Sequence, residues 1–167
     1  MTFKKLSFEV LDMNPSIELT AAPGKRGREG YEAFYRLAHS LSEKSEADRI
    51  EAMAAGFKTQ WLFAVQCAFD VNKTGLAILL EVSPSTVDRT VKGGRPLSVV
   101  ASERLDRLAE VSLLAESVFE DKGVATRWMS TPNSALGGST PFQRCLTELG
   151  ARQVRRILHA IEWGGVA

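Results

Sequence analysis

A group of hydroxyl and basic side chains in the middle of the chain has the residue types and spacing of a nucleic-acid contact surface. Ser85, Arg89 and Lys92 recur at intervals of three to four residues, which places them on one face of a helix. Hydroxyls near a helix N-terminus can donate to phosphates, and an arginine binds a guanine edge or a phosphate. The candidate DNA-contacting residues are Ser85, Thr86, Arg89, Lys92 and Arg95.

The last helical pattern of the chain carries a second candidate surface, suited to a protein partner. Its apolar residues recur at i, i+3, i+4 and i+7, and its basic residues take the opposite side. Beyond the pattern, an aromatic residue followed by two glycines forms a projecting tail. A frayed terminus without a partner is the alternative reading. The candidate residues are Arg152, Arg155, Arg156, His159, Glu162, Trp163, Gly164 and Gly165.

The residue types that carry out catalysis or bind metals are too scattered along the sequence to predict a site. His39 and His159 are isolated, and no zinc-ligand spacing exists. Cys67 and Cys145 each lie within an apolar helical pattern, which favours two reduced core thiols over a disulfide. No Ser/His/Asp set, Cys/His set or pair of carboxylates can be assembled. The sequence therefore predicts a protein without catalytic activity, metal or cofactor.

Two glycine-rich segments invite comparison with phosphate-binding loops. Ala21–Gly30 lacks the spacing of a P-loop, and we interpret it as a flexible basic linker, with a nucleic-acid arm as the alternative. The Gly137-Gly138 turn precedes a helix N-terminus, which can bind an anion. There, however, Thr140 is placed to cap the helix and Pro141 removes one N–H donor. We interpret that turn as a chain reversal.

Length, charge and hydropathy limit the class of protein. The 167 residues carry a net charge of +1, so any nucleic-acid site must be a local basic patch. No apolar run approaches the roughly 18 residues of a membrane span. Acidic residues soon follow the N-terminal lysines, which argues against a signal peptide. We expect a cytoplasmic protein without a membrane partner.

The elements that must position both surfaces are helical from Tyr31 onward. Before them, Leu6, Phe8 and Val10 alternate with polar residues, which favours a short strand or extended arm. Gly150 is predicted to end a helix in the left-handed conformation. The predicted fold class is all-α with an extended N-terminal arm. The predicted helices are Tyr31–Leu41, Glu46–Ala55, Thr59–Phe69, Thr74–Glu81, Pro84–Lys92, Ser98–Phe119, Pro141–Leu149 and Ala151–Trp163.

Two of these helices form a predicted helix-turn-helix between Lys73 and Arg95. Ser83 can cap the second helix and Pro84 fits its first position, while Val87 and Val91 are predicted to point inward. The apolar pattern is similar to the helix-turn-helix of phage Cro and repressor proteins at Leu76, Ala77, Leu80, Val82 and Val87. Glu81 stands where that motif prefers glycine, Thr90 where it prefers an apolar residue, and Asp88 puts a negative charge beside the reading face. A helix-turn-helix kept only for packing therefore stays open as an alternative.

A larger set of residues in order resembles one family, the Xre/MbcA/ParS antitoxins of type II toxin–antitoxin pairs. The resemblance covers about residues 46–167 and rests on Ser102–Val111, Trp128, Pro132-Asn133, Leu136-Gly137-Gly138, Thr140-Pro141 and the ending Leu158-x-x-Ile161-Glu162-x-Gly164. It implies a helix-turn-helix domain at 46–111 and a toxin-binding domain at 112–167, after an arm and linker at 1–45.

The same resemblance implies the partners and the mode of action. The partners would be a RES-domain toxin, which consumes NAD or transfers its ADP-ribose, and operator DNA. The last helix and tail would cover the NAD pocket of the toxin, with Asn133 added to the toxin-binding residues. Homodimers, hetero-oligomers with the toxin and repression of the protein's own operon are also implied. A stand-alone transcription regulator without a toxin is the alternative.

Overall fold

The structure of the protein is a computed structural model that describes residues 25–164. Within that range the chain is helical and contains no strand, as the sequence predicted. The predicted short strand or extended arm at Leu6, Phe8 and Val10 lies outside the described residues. The elements are α1 (Lys25–Ser42), α2 (Glu46–Ala55), α3 (Gln60–Phe69), α4 (Lys73–Leu80), α5 (Pro84–Gly93), α6 (Val99–Phe119), α7 (Lys122–Ser130), a short 3₁₀ helix (Ser134–Leu136), α8 (Pro141–Arg144) and α9 (Glu148–Glu162).

Short polar side chains set where most of these helices begin. The side chains of Ser45, Asn72 and Ser98 each accept a hydrogen bond from a backbone N–H in the first turn of α2, α4 and α6. Such caps satisfy donors that have no partner inside the helix. Thr140 and Gln143 form a reciprocal capping box at α8, as the position of Thr140 predicted.

The prediction of a flexible basic linker at Ala21–Gly30 is wrong for the residues of that segment that the structure describes. Residues 25–30 form the first turns of α1, whereas residues 21–24 lie outside the described range. The continuing helix buries Phe34 and Tyr35 completely and packs against α3, α6 and α7. Burial of two aromatic rings stabilises the helix far more than its basic, glycine-containing start weakens it.

Between α6 and α9 the helices differ from the prediction in two ways. Residues 122–130, where no helix was predicted, form α7, which Asp121 caps by accepting from the Val124 N–H at 2.8 Å. The predicted helix Pro141–Leu149 stops at Arg144, and Gly150 lies inside the first turn of α9 rather than at a left-handed helix end. A Cβ at Gly150 would lie 2.1 Å from the Arg144 carbonyl oxygen, so glycine is needed there for close approach.

A single buried core joins the helices of the described range. On α1, α3 and α8, the rings of Phe34, Phe69 and Phe142 contact one another in sequence, with centroids 4.8 Å and 5.3 Å apart. Helix α6 runs through this core and contacts α1, α2, α4, α7 and α9. The core therefore gives the helix-turn-helix and the C-terminal helices one common support.

Candidate DNA-binding and toxin-binding surfaces

The helix-turn-helix forms where the sequence places it. Leu76, Ala77 and Leu80 on α4 are buried, and Val87 is the one buried residue of α5. The prediction that Val91 points inward like Val87 is wrong, because 43% of the Val91 surface is exposed. Helix α5 packs mainly on α4, and this contact buries Val87 but no side chain in the last turn of α5.

The predicted DNA-contacting residues lie on the outer side of α5 and just after it. Ser85, Arg89, Lys92 and Arg95 are exposed, whereas Thr86 is half-buried. The hydroxyl oxygen of Ser83 lies 2.9 Å from the hydroxyl oxygens of both Ser85 and Thr86. The prediction that Ser83 caps α5 is wrong: Ser83 occupies the N-cap position, but its side chain caps no backbone N–H, because its hydroxyl group is paired with the other two hydroxyl groups. The helix thus presents a cluster of hydroxyls at its start and two cations further along.

The carboxylate of Asp88 is balanced by a neighbouring lysine. The Nζ atom of Lys73 on α4 donates to Asp88 Oδ2 at 2.6 Å, and this hydrogen bond lowers the pKa of Asp88. This pairing could not be predicted from local spacing, since fifteen residues separate the two positions. The pair reduces the repulsion that a lone carboxylate would exert on a phosphate near α5.

Helix α9 supports the second candidate surface with its apolar side turned to the core. Val154 and Leu158 are buried and Ile157 is half-buried, whereas Arg152, Arg156 and His159 are exposed. Arg155 is half-buried and forms a salt bridge with Glu148, which also binds Arg107 of α6. This network, which the sequence reasoning missed, holds Arg155 closer to the protein than its neighbouring arginines.

The end of α9 leaves its tail residues open to solvent. Trp163 is 82% exposed, and Gly164 has a left-handed φ of 84°. Glu162 Oε2 lies 3.3 Å from His159 Nδ1. Gly165 lies outside the described residues. The structure therefore brings Arg152, Arg156, His159 and Trp163 to one helix and presents a large aromatic ring at its end.

The Asn133–Pro141 reversal is a closed turn rather than an open anion cradle. The backbone carbonyl oxygen of Asn133 accepts from the Gly138 N–H at 2.9 Å, and its side-chain oxygen accepts from the Ala135 N–H at 2.9 Å. The half-buried Asn133 thus shapes the turn with its acceptors. The interpretation as a chain reversal agrees with this geometry.

The two cysteines also take the places expected of core thiols. Both are free, with Cys145 buried and Cys67 half-buried. Burial raises the pKa of the Cys145 thiol to about 12, which keeps it protonated and unreactive at neutral pH.

Among the described residues, no helix is both long enough and apolar enough to cross a membrane.

Comparison with known proteins places both halves of this structure in one family. Residues 48–110 match the antitoxin Xre-like helix-turn-helix domain, and residues 114–164 match the antitoxin Xre/MbcA/ParS C-terminal toxin-binding domain. Antitoxin Xre of Pseudomonas putida is 38% identical over 79 residues, which span 47% of this chain and 50% of that protein. Antitoxin Xre of Yersinia enterocolitica is 41% identical over 117 residues, which span 69% of this chain and 78% of that protein. With α4 and α5 inside the first match and the exposed end of α9 inside the second, the chain belongs to the Xre antitoxin family.

Proposed function

We propose that this protein neutralises a RES-domain toxin by covering the toxin's NAD-binding active site with the end of α9. The observation that carries the proposal is the 82% exposure of Trp163, at the end of a helix inside the matched toxin-binding domain. A large aromatic ring so exposed is costly in water and is typical of a residue that is buried in a complex.

The chemistry of a NAD pocket fits the groups at this end of the helix. Such a pocket must bind a planar base and a negatively charged diphosphate, so it offers apolar slots and basic groups. Trp163 suits the apolar slot, and Glu162 can pair with a basic group of the pocket. The exposed Arg152, Arg156 and His159 lie on the same helix and can contact the rim of the pocket.

The test is NAD consumption by the purified toxin, titrated with full-length protein, with a truncation lacking residues 162–167 and with Trp163→Ala. We expect both variants to inhibit at least tenfold less well, as the loss of a hot-spot residue implies. Leu149→Ala is the matched control, because Leu149 is an exposed apolar residue at the opposite end of α9. Equal inhibition by all four proteins would place the inhibitory contact elsewhere on the molecule.

We also propose that the protein represses its own operon through α5. One support is the exposed row of Ser85, Arg89 and Lys92, which lies on the opposite side of α5 from the buried Val87. The other is the salt bridge with Lys73 that balances the charge of Asp88. A helix with a packed back and a basic front is what reading of the major groove requires. A homodimer is part of this proposal, since helix-turn-helix proteins bind two half-sites as two-fold dimers.

Binding to the promoter of the operon, measured at several salt concentrations, tests this second activity. Arg89→Ala is expected to weaken binding by about 1–3 kcal/mol and to relax the preference for one base. Lys92→Ala is expected to weaken binding to all sequences and to lower the salt dependence by about one phosphate contact. Lys44→Ala, an exposed lysine between α1 and α2, is the control. A wild-type protein that ignores its promoter at low salt, alone and with the toxin, would contradict the proposal.

A further inference from the structure

The segment Ser102–Val111 of α6 takes part in neither proposed surface, yet three of its polar side chains contact three different parts of the chain. Ser102 Oγ accepts from the Phe57 N–H at 2.9 Å, in the loop between α2 and α3. Arg107 Nη1 donates to the Cys145 carbonyl oxygen at 3.2 Å, near the start of α9. Arg104, between them, reaches the turn of the helix-turn-helix. Polar side chains on different sides of α6 therefore hold three neighbouring parts of the chain.

Arg104 binds the end of α4 through both terminal nitrogens of its guanidinium group. Nη1 donates to the carbonyl oxygens of Ile78 at 2.7 Å and Leu79 at 3.2 Å, and Nη2 donates to Glu81 Oε1 at 2.6 Å. The last carbonyl groups of a helix have no partner within the helix. The arginine side chain is only 17% exposed, and its hydrogen bond to Glu81 joins two opposite charges.

The residue that Arg104 holds is in a conformation that glycine favours. Glu81 ends α4 with φ 56° and ψ 42°, a left-handed geometry in which a side chain is strained. The turn is only three residues long, because α5 begins at Pro84. Beyond the turn, Val87 is the one buried residue of α5. The angle of α5 therefore depends strongly on the conformation of Glu81.

We propose that Arg104 is a positioning residue for DNA reading, which clamps Glu81 in the left-handed conformation and thereby fixes the direction of α5. Arg104 thus stabilises a left-handed conformation that glycine adopts without strain in other helix-turn-helix turns. The effect on DNA affinity rests on the proposed function, whereas the effect on the turn does not. The guanidinium already has three acceptors inside the protein, so it acts on DNA through α5 rather than by direct contact.

The test compares Arg104→Met, Glu81→Gly and the double variant. Glycine adopts the left-handed conformation without strain, so it should make the clamp unnecessary. We expect Arg104→Met to lose roughly tenfold in promoter affinity, as when about a tenth of the molecules hold the competent geometry. Glu81→Gly should bind like wild type, and the double variant should recover most of the loss. Arg36→Met, an exposed arginine on α1, is the control.

Amide hydrogen exchange at residues 82–87 in the free protein supplies a readout that does not need DNA. Faster exchange in Arg104→Met, with protection restored in the double variant, is the expected result. If wild type does not bind its promoter, the operon proposal fails while the exchange data still decide the role of Arg104. Should Arg104→Met not fold, Arg104→Lys keeps the charge without the fork and should show part of both effects.

Two results would overturn the proposal. The first is unchanged exchange and unchanged promoter affinity in Arg104→Met. The second is a loss of affinity that Glu81→Gly does not restore, with a salt dependence lowered by about one phosphate contact, because that would make Arg104 a direct contact to DNA.

Discussion

Trp128 on α7 packs its ring against Phe119 at the end of α6, with the ring centroids 5.6 Å apart and the planes inclined by 48°. The ring is half-buried. This ring contact joins two consecutive helices across the left-handed turn at Glu120.

Trp128→Ala is expected to lower the free energy of unfolding by about 2–3 kcal/mol, below the range for a fully buried tryptophan because part of the ring is already in water. Urea denaturation followed by circular dichroism measures the change. Trp163→Ala is the control, since its exposed ring should contribute almost nothing to stability. Unchanged stability together with lost toxin inhibition would show that Trp128 contacts the toxin rather than stabilising the fold.

Among the helices, α9 takes its direction from its joint with α8, and α9 is the helix for which we propose the toxin contact. Thr147 caps α9 by accepting from the Gly150 N–H at 3.1 Å, and Arg107 and Arg155 both bind Glu148 in the same turn. The chain passes so close to the end of α8 that only glycine fits at position 150. The direction of α9 is therefore set within one turn of its start.

Gly150→Ala is expected to destabilise the protein by about 1–3 kcal/mol, because the added methyl group overpacks the joint. Toxin inhibition should weaken as well, since any relief of the clash tilts α9. Gly93→Ala is the matched control: it is also a helical glycine, but a Cβ there meets nothing within 4 Å. Thermal unfolding of the two variants decides the matter, and equal melting temperatures would show that the joint yields without cost.

At the scale of the whole molecule, the two matched domains share one core. Helix α6 begins inside the first matched region and ends inside the second, and Phe69 of α3 packs on Phe142 of α8. Helix α1, which precedes both matched regions, is buried against α3, α6 and α7. Two domains recognised separately in sequence thus have no independent hydrophobic centres in the described part of the chain.

We expect residues 25–164 to unfold in one cooperative transition, as is usual for a single core of this size. Two single-tryptophan proteins test this: one keeps Trp61 in the first matched region, and the other keeps Trp128 in the second. Their fluorescence midpoints in urea should coincide after allowance for the lost rings, and Phe142→Ala should shift both equally. Separated midpoints would show that the domains fold independently.

Local periodicity and capping signals were enough to predict most of the central helices. Helical spacing identified α2 through α6, Pro84 marked the start of α5, and Thr140 marked the start of α8. The exposed basic row on α5 and the exposed Trp163 followed from the same patterns. These signals are short-range, because the residues that produce them lie within one or two helical turns of one another.

Other features arise from contacts between residues that are far apart in the chain, and these were not predictable from local patterns. Val91 is exposed because the contact between α4 and α5 buries only Val87, and Gly150 lies in the first turn of α9, where the Arg144 carbonyl group leaves room only for glycine. The basic start of α1 is helical because two aromatic rings later in that helix are buried. Arg104 can hold Glu81, 23 residues earlier in the chain, only once α6 has packed on α4. Burial and long-range pairing override local preference in each case, since their free energies exceed helix propensities of less than about 1 kcal/mol per residue.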